Sequence, residues 1–246
     1  TIDGGDGWDT MVGTTSNDYF RVSSNFANLT SVEEIDGGAG YDVIYGTDDA
    51  DVLDLSGAIL VTGIEAVDTG HGDDVVIGTI NDERIDGGDG ADTITGNEGD
   101  DWLRGESGDD TFLVEGDDGL DTIDGGSGTD RLLGSAGDDV IRITGDFGNF
   151  TDLELIDAGD GYDTLMGTDA GERIDLSAAP MTLLGIEAID GGAGDDEING
   201  SSGADVIIGG AGDDVLSGGA GDDRFEVVGD DGLDQLDGGD GYDLLA

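Results

Sequence analysis

Aspartate returns every ninth residue over long stretches of this chain, at Asp92, Asp101 and Asp110 and again at Asp196, Asp205, Asp214 and Asp223. Each closes a glycine-rich hexad such as GGDGAD (87–92) or GGAGDD (209–214), and an apolar residue follows two places on. Carboxylates, and the carbonyls that a glycine turn leaves exposed, are hard oxygen donors. With no Cys and one His in 246 residues, thiolate and multi-histidine metal sites are excluded. Several oxygens in a flexible turn select Ca²⁺ over Zn²⁺ and over the more demanding Mg²⁺.

Written as G-G-x-G-x-D-x-U-x, with U apolar, the unit can be laid along the chain twenty times. Its sixth positions are Asp9, Asp18, Asp42, Asp51, Asp74, Glu83, Asp92, Asp101, Asp110, Asp121, Asp130, Asp139, Asp163, Glu172, Asp196, Asp205, Asp214, Asp223, Asp234 and Asp243. All twenty are carboxylates, and all twenty U positions are apolar. Four turns depart from the pattern: GTTSND (13–18), GTDDAD (46–51), GTINDE (78–83) and GTDAGE (167–172).

Glycine accepts positive φ, so a hexad of this composition turns the chain. Three residues of strand cannot stand alone. Two turns and two strands make a coil of eighteen residues, and stacked coils give parallel sheets with U side chains between them. The expected fold is all-β, a solenoid stabilised by nearest neighbours. No stretch sustains a 3.6-residue period, so helices are not expected. Stacking makes neighbours of carboxylates eighteen residues apart: Asp74 with Asp92, Glu83 with Asp101, Asp92 with Asp110, Asp121 with Asp139, Asp196 with Asp214, and Asp205 with Asp223. Held close without a cation, they repel each other.

A longer repeat lies over the short one. IDGGDGWDTMVGT at Ile2 returns as IDGGSGTDRLLGS at Ile123, and GDDTFLVEGDDGLDTIDGG at 108 returns as GDDRFEVVGDDGLDQLDGG at 221. The expected organisation is a first module over 1–122, a second over 123–235 and the start of a third over 236–246, in one continuous solenoid. Four wider rungs, 22–36, 55–68, 143–157 and 176–190, interrupt the nine-residue beat and end alike in VEEID, IEAVD, LELID and IEAID. Their Glu33, Glu65, Glu154 and Glu187 read as solvated strand positions, or alternatively as extra ligands or inter-module contacts.

The charge balance is 61 Asp plus Glu against 7 basic residues, a formal net charge of −54. Such a chain repels itself unless a cation neutralises it. Nucleic acid is excluded as a partner, because phosphate binding needs clustered Lys and Arg, and an anionic membrane is disfavoured likewise. No apolar run approaches a membrane span. TIDGGDGW has neither a basic start nor an apolar stretch, so no signal peptide is expected there, and the chain reads as part of something longer.

GGAGDDVLS and GGAGDDRFE resemble the nonapeptide repeats of the RTX (repeats-in-toxin) family, also described as hemolysin-type calcium-binding repeats. The resemblance implies a right-handed parallel β-roll with several Ca²⁺ ions bound in the turns. It also implies type I secretion, with folding outside the cell. It assigns Ca²⁺ ligation most directly to Asp92, Asp101, Asp110, Asp130, Asp139, Asp196, Asp205, Asp214 and Asp223. The same position extends the assignment to Asp9, Asp42, Asp74, Asp121, Asp163, Asp234 and Asp243. Turn carbonyls are supplied by Gly87, Gly90, Gly209, Gly212, Gly218 and Gly221. The assignment is weakest at Asp18, Asp51, Glu83 and Glu172, where the turns depart from the motif.

Other motifs are weaker. Paired carboxylates can serve glycoside hydrolysis, but here every turn carries them. There is no Lys for a phosphate loop. His71 reads as an exposed turn residue with no second His to complete a nucleophile constellation. Trp8, Tyr41, Tyr162 and Tyr242 stand just before the turn Asp; they read as covers for neighbouring turns, or as stacking platforms for surface glycans. NLT at Asn28 and NFT at Asn149 match glycosylation acceptors but read as polar turn sequence. The functional expectation is a non-catalytic calcium-binding structural module of a secreted or cell-surface bacterial protein of adhesin, surface-layer or filament type, with open solenoid ends able to stack end to end. The alternative is a calcium module appended to a secreted enzyme such as an alginate epimerase or protease.

Overall fold

The computed structural model of the chain describes residues 2–26, 29–57, 60–226 and 232–246. They fall into two compact units: Thr1–Val114 with Asp121–Leu132 and Thr151–Leu153, and Glu115–Leu120 with Leu133–Phe150 and Glu154–Ala246. In both, three-residue strands pair in parallel with strands one coil away, which is the β-solenoid that the periodicity predicts. Among the described residues there is no α-helix. Three single 3-10 turns occur, at Ser24–Phe26, Gly145–Phe147 and Leu176–Ala178, all in the wider rungs. No helix of the described residues is long and apolar enough to cross a membrane.

In the first unit, Tyr19–Arg21, Val43–Tyr45, Ala66–Asp68, Arg84–Asp89, Trp102–Ser107 and Thr122–Asp124 follow one another in one sheet. Val52–Asp54, Val75–Ile77, Thr93–Thr95 and Thr111–Leu113 form a second. A third, three-stranded sheet holds Thr10–Val12, Glu34–Asp36 and Leu60–Thr62. In the second unit, Val140–Arg142, Thr164–Met166, Ala188–Asp190, Val206–Ile208, Arg224–Glu226 and Leu244–Leu245 make one sheet. Arg173–Asp175, Glu197–Asn199, Val215–Ser217 and Gln235–Asp237 make another.

Register puts the U residue of each strand on that of the next coil. Leu53, Val76, Ile94 and Phe112 stack in one file, all fully buried. In the second unit Ile189, Ile207 and Phe225 do the same. Of the twenty U residues seventeen are buried, and the exceptions are Met11, Leu236 and Leu245. In most strands the core is therefore one side chain wide, because the flanking residues face away from it; Val43, Ala66, Thr111 and Ala188 are flanking residues that are buried as well.

The turns permit this close stacking only because of their glycines. Gly88 has φ +102° and Gly90 φ +141°, and a Cβ on Gly90 would run into the carbonyl oxygen of Gly72 one coil below. Basic residues contribute little by comparison. Arg142 reaches both carboxylate oxygens of Asp117, Arg104 reaches Asp86 and Glu106, and Arg224 reaches Glu226. Such partly exposed pairs are worth at most about 1 kcal/mol each.

Ile94→Ala opens a void in a one-residue-wide core and is expected to cost about 2–5 kcal/mol. Leu236→Ala, at a 39% exposed U position, is expected to cost well under that. Denaturant midpoints of the two variants in calcium check the order.

Candidate metal-binding turns

The sixth-position carboxylate sits between turn and strand, so strand pairing sets its neighbours. Asp92 Oδ1 accepts the backbone N–H of Asp74 at 2.8 Å, and Asp110 Oδ1 accepts that of Asp92 at 2.8 Å. In the second unit, Asp214 Oδ1 takes the Asp196 N–H and Asp223 Oδ1 takes that of Asp205, both at 2.9 Å. Asp101 Oδ1 takes the Glu83 N–H at 2.7 Å. Each turn thus hooks the one before it, through five of the six pairs that the eighteen-residue spacing predicts.

The sixth pair is corrected. Asp121 Oδ1 accepts from Asp101, twenty residues back, and Asp139 Oδ1 accepts from Gly116. The cause is the turn GDDGLD, which makes its coil two residues longer and shifts the register. The same hook spans twenty residues at Asp110–Asp130, Asp214–Asp234 and Asp223–Asp243. It spans twenty-three at Asp51–Asp74 and twenty-four at Asp18–Asp42 and Asp139–Asp163.

The second carboxylate oxygen divides the turns. In Asp42, Asp74, Asp92, Asp110, Asp163, Asp196, Asp214 and Asp223, each at most 2% exposed, Oδ2 is buried and meets no hydrogen-bond donor; the Oδ2 of Asp9 is buried in the same way. A buried charged oxygen without a partner is costly. It points back into the mouth of its own turn: a Cβ on Gly87, Gly209 or Gly218 would collide with the Oδ2 of Asp92, Asp214 or Asp223. Among the described residues no three His, Cys, Asp or Glu side chains converge on a metal position. A cation here would take one or two carboxylates and draw its other ligands from backbone carbonyls. That all-oxygen set fits Ca²⁺.

Burial pushes the Asp92 carboxyl up to about 7 and those of Asp110 and Asp196 up to about 6. The hooked N–H groups pull the other way, and neighbouring carboxylates add to the rise. Asp74 and Asp214 are raised for the same first reason.

Six turns are built differently. In 13–18, 46–51, 78–83, 134–139, 167–172 and 200–205 the second residue is Ser or Thr. Its backbone N–H donates to the sixth carboxylate, as from Thr47 to Asp51 at 2.7 Å and Ser201 to Asp205 at 2.8 Å. Its hydroxyl donates there too, for instance from Thr79 to Glu83 and Thr168 to Glu172. Asp139 and Asp205, which the resemblance groups with the ligands, belong to this set together with Asp18, Asp51, Glu83 and Glu172.

The wider rungs carry carboxylates that the sequence reading undervalued. Glu33 Oε2 accepts the Asp9 N–H at 2.9 Å, Glu65 Oε2 that of Asp42 at 2.7 Å, and Glu187 Oε2 that of Asp163 at 2.9 Å. Glu65 and Glu187 are exposed, as the solvated reading expects, and Glu33 is half-buried, yet all three also act as hooks. The signal was present: each Glu precedes a buried apolar residue by two (Ile35, Val67, Ile189), just as the turn Asp precedes U. The fifth-position acid of the GDD turns also has a role. Asp73 Oδ1 accepts from Ala91 N–H and Asp195 Oδ1 from Asp213 N–H, a second ladder beside the first.

His71 is exposed and its Nδ1 lies 2.8 Å from Asp89. Ser107 binds the other oxygen of the same Asp89, so His and Ser share an acid rather than forming a relay. Trp8, Tyr41, Tyr162 and Tyr242 are all exposed. Backbone N–H groups of the three tyrosines rest on Asn17, Asp138 and Asp222. Asn149 is 7% exposed; it caps Thr144 N–H and donates to the Arg142 carbonyl, which makes it a structural residue. Asn28 lies outside the described residues.

A family model described as the RTX calcium-binding nonapeptide repeat (four copies) matches residues 1–21, 31–57, 77–112, 113–141, 190–225 and 226–245. No curated protein matches the chain.

Without metal, a carboxyl raised in the fold and ordinary when unfolded binds more protons folded than unfolded between about pH 4 and pH 7. Stability from Asp92, Asp110 and Asp196 is therefore present below the unfolded value and lost as pH rises through about 6–7. Chelated protein is expected to be more ordered at pH 5 than at pH 7.5 by circular dichroism. Equal order at both would refute this account. Separately, Glu187→Ala removes an acceptor from a backbone N–H and is expected to cost about 1–3 kcal/mol by denaturant titration in calcium.

Proposed function

The chain belongs to the RTX calcium-binding nonapeptide repeat family, and from that premise we propose that it is a calcium-folded structural module of a secreted or cell-surface protein, without catalytic activity of its own. The observation that carries this reading is the buried, donorless Oδ2 facing its own glycine turn, repeated from Asp42 to Asp223. A single such oxygen is a defect. A series of them is a demand for cations that the fold makes at regular intervals.

The net charge of −54 supports the same reading. In low calcium the stacked carboxylates oppose collapse, and the thin core does not offset them, so the chain stays unfolded. In millimolar extracellular calcium, binding energy becomes folding energy. A chain of this kind crosses a secretion machine unfolded and sets afterwards. The shared Asp89 of His71 and Ser107 supports a non-enzymatic role. The two long homologous copies support a place in a repetitive surface protein of adhesin, surface-layer or filament type.

Titrating Ca²⁺ into chelated protein, with circular dichroism and particle size followed together, tests the reading. A coil-to-β transition is expected, with a midpoint of about 10⁻⁴ to 10⁻³ M. Growth into long particles over the same range supports end-to-end assembly, and constant size supports a module that works within one chain. Asp214→Ala should raise the midpoint by roughly tenfold, as expected when a charged ligand is lost. A chelated chain that is already folded and unchanged by calcium overturns the proposal.

A further inference from the structure

The resemblance makes Asp139 and Asp205 ligands and is weakest at Asp18, Asp51, Glu83 and Glu172, but all six carboxylates are already closed by their own turns. We infer that the Ser/Thr turns 13–18, 46–51, 78–83, 134–139, 167–172 and 200–205 take up no calcium, and that a hydroxyl does there what the cation does elsewhere. This inference rests on the calcium reading of the glycine turns.

Three observations agree. The first is hydrogen bonding. In each of the six turns the second residue's hydroxyl accepts the N–H of the fourth residue and donates to the sixth carboxylate. Ser201 Oγ accepts from Gly203 at 3.0 Å and donates to Asp205 Oδ1 at 3.0 Å. Thr47 Oγ1 accepts from Asp49 at 3.2 Å and donates to Asp51 Oδ2 at 2.9 Å. Ser135, Thr14, Thr79 and Thr168 repeat the arrangement. One hydroxyl thus spans the turn, and the backbone N–H of the same residue fills the carboxylate's remaining acceptor site. No carboxylate oxygen of these six is among the buried atoms without a partner.

The second is backbone conformation. The glycine turns hold their second residue in the left-handed region, as at Gly88 (φ +102°), Gly210 (φ +95°) and Gly219 (φ +93°). None of the six Ser or Thr residues has positive φ. In the left-handed arrangement no second-position N–H reaches the carboxylate, and its Oδ2 is stranded; with negative φ that N–H bonds to it. The residue at the second position therefore selects between a metal-requiring turn and a self-closed one.

The third is placement. A carboxylate hooked onto the sixth-position N–H of the coil before it belongs to a glycine turn at Asp92, Asp110, Asp196, Asp214 and Asp223. Of the self-closed turns, those of Asp205 and Glu83 stand where that donor is lacking, while Asp139 takes the N–H of Gly116, a first-position residue, instead. Asp205 follows the wider rung of Glu187, whose N–H is spent on the Asp163 carbonyl. Glu83 follows that of Glu65, whose N–H is spent on the Asp42 carbonyl. Where a wide rung interrupts the ladder, a hydroxyl restarts it.

Equilibrium dialysis of the full chain against ⁴⁵Ca²⁺, with circular dichroism at saturation as the folding control, tests the division. Asp205→Asn and Asp51→Asn are expected to bind as many ions as the unaltered chain. Asp214→Asn and Asp92→Asn are expected to lose at least one ion each. Ser201→Gly, which rebuilds the glycine turn, is expected to gain one. Loss of ions in folded Asp205→Asn and Asp51→Asn, equal to that in Asp214→Asn, overturns the division while leaving the calcium reading standing. An unaltered chain that binds no calcium overturns both. Should Asp214→Asn not fold, the gain at Ser201→Gly decides, and no gain there refutes the inference.

Discussion

Everything in this molecule is arranged around a carboxylate oxygen that has nowhere to go. One oxygen of a glycine-turn Asp such as Asp92 or Asp214 is spent on the N–H of the coil before it, which fixes the stacking. In the glycine turns the other is sealed inside the turn that made it. Sealing it goes with a second residue in the left-handed region, as at Gly70 and Gly159, and a fourth residue close enough to touch the coil below. The glycine composition is therefore a condition for placing a charge where water cannot reach it.

The apolar core is subordinate to this. It is built of files of single side chains, Leu53 to Val76 to Ile94 to Phe112 and their equivalents, widened by apolar residues of the wider rungs such as Phe26, Ile35, Phe147 and Ile156. That core stands against a formal net charge of −54. The hydroxyl-closed turns show the same problem solved inside the chain. They exchange the cation for a Ser or Thr, and at Asp205 and Glu83 they stand where the ladder would otherwise begin without a donor.

Most of the fold was legible because its period is short and each period carries its own turn, hook and core residue. Hooks such as Asp92 on Asp74 and Asp214 on Asp196 follow from counting eighteen. Counting failed at Asp121 and Asp139, because the stretch from Asp110 to Asp121 is eleven residues long instead of nine and displaces the neighbours on either side of it. The wider-rung glutamates are solvated as expected at Glu65 and Glu187, but their hooks were missed because they were not compared with the sixth Asp, whose spacing to a buried apolar residue they copy. The distinction between Asp205 and Asp214 was out of reach of spacing altogether. It depends on the sign of one φ angle, which the residue type at the second position permits but does not announce.

The hook between coils closes over eighteen, twenty, twenty-three or twenty-four residues with the same hydrogen bond. Coil circumference is thus decoupled from axial growth. The chain can lengthen a loop on its flank, and so remodel what it shows to its surroundings, without renegotiating how one coil sits on the next. A scaffold with that property diversifies sideways while it propagates lengthways, so the sides, more than the stacked turns, are where neighbouring copies in a long array can come to differ.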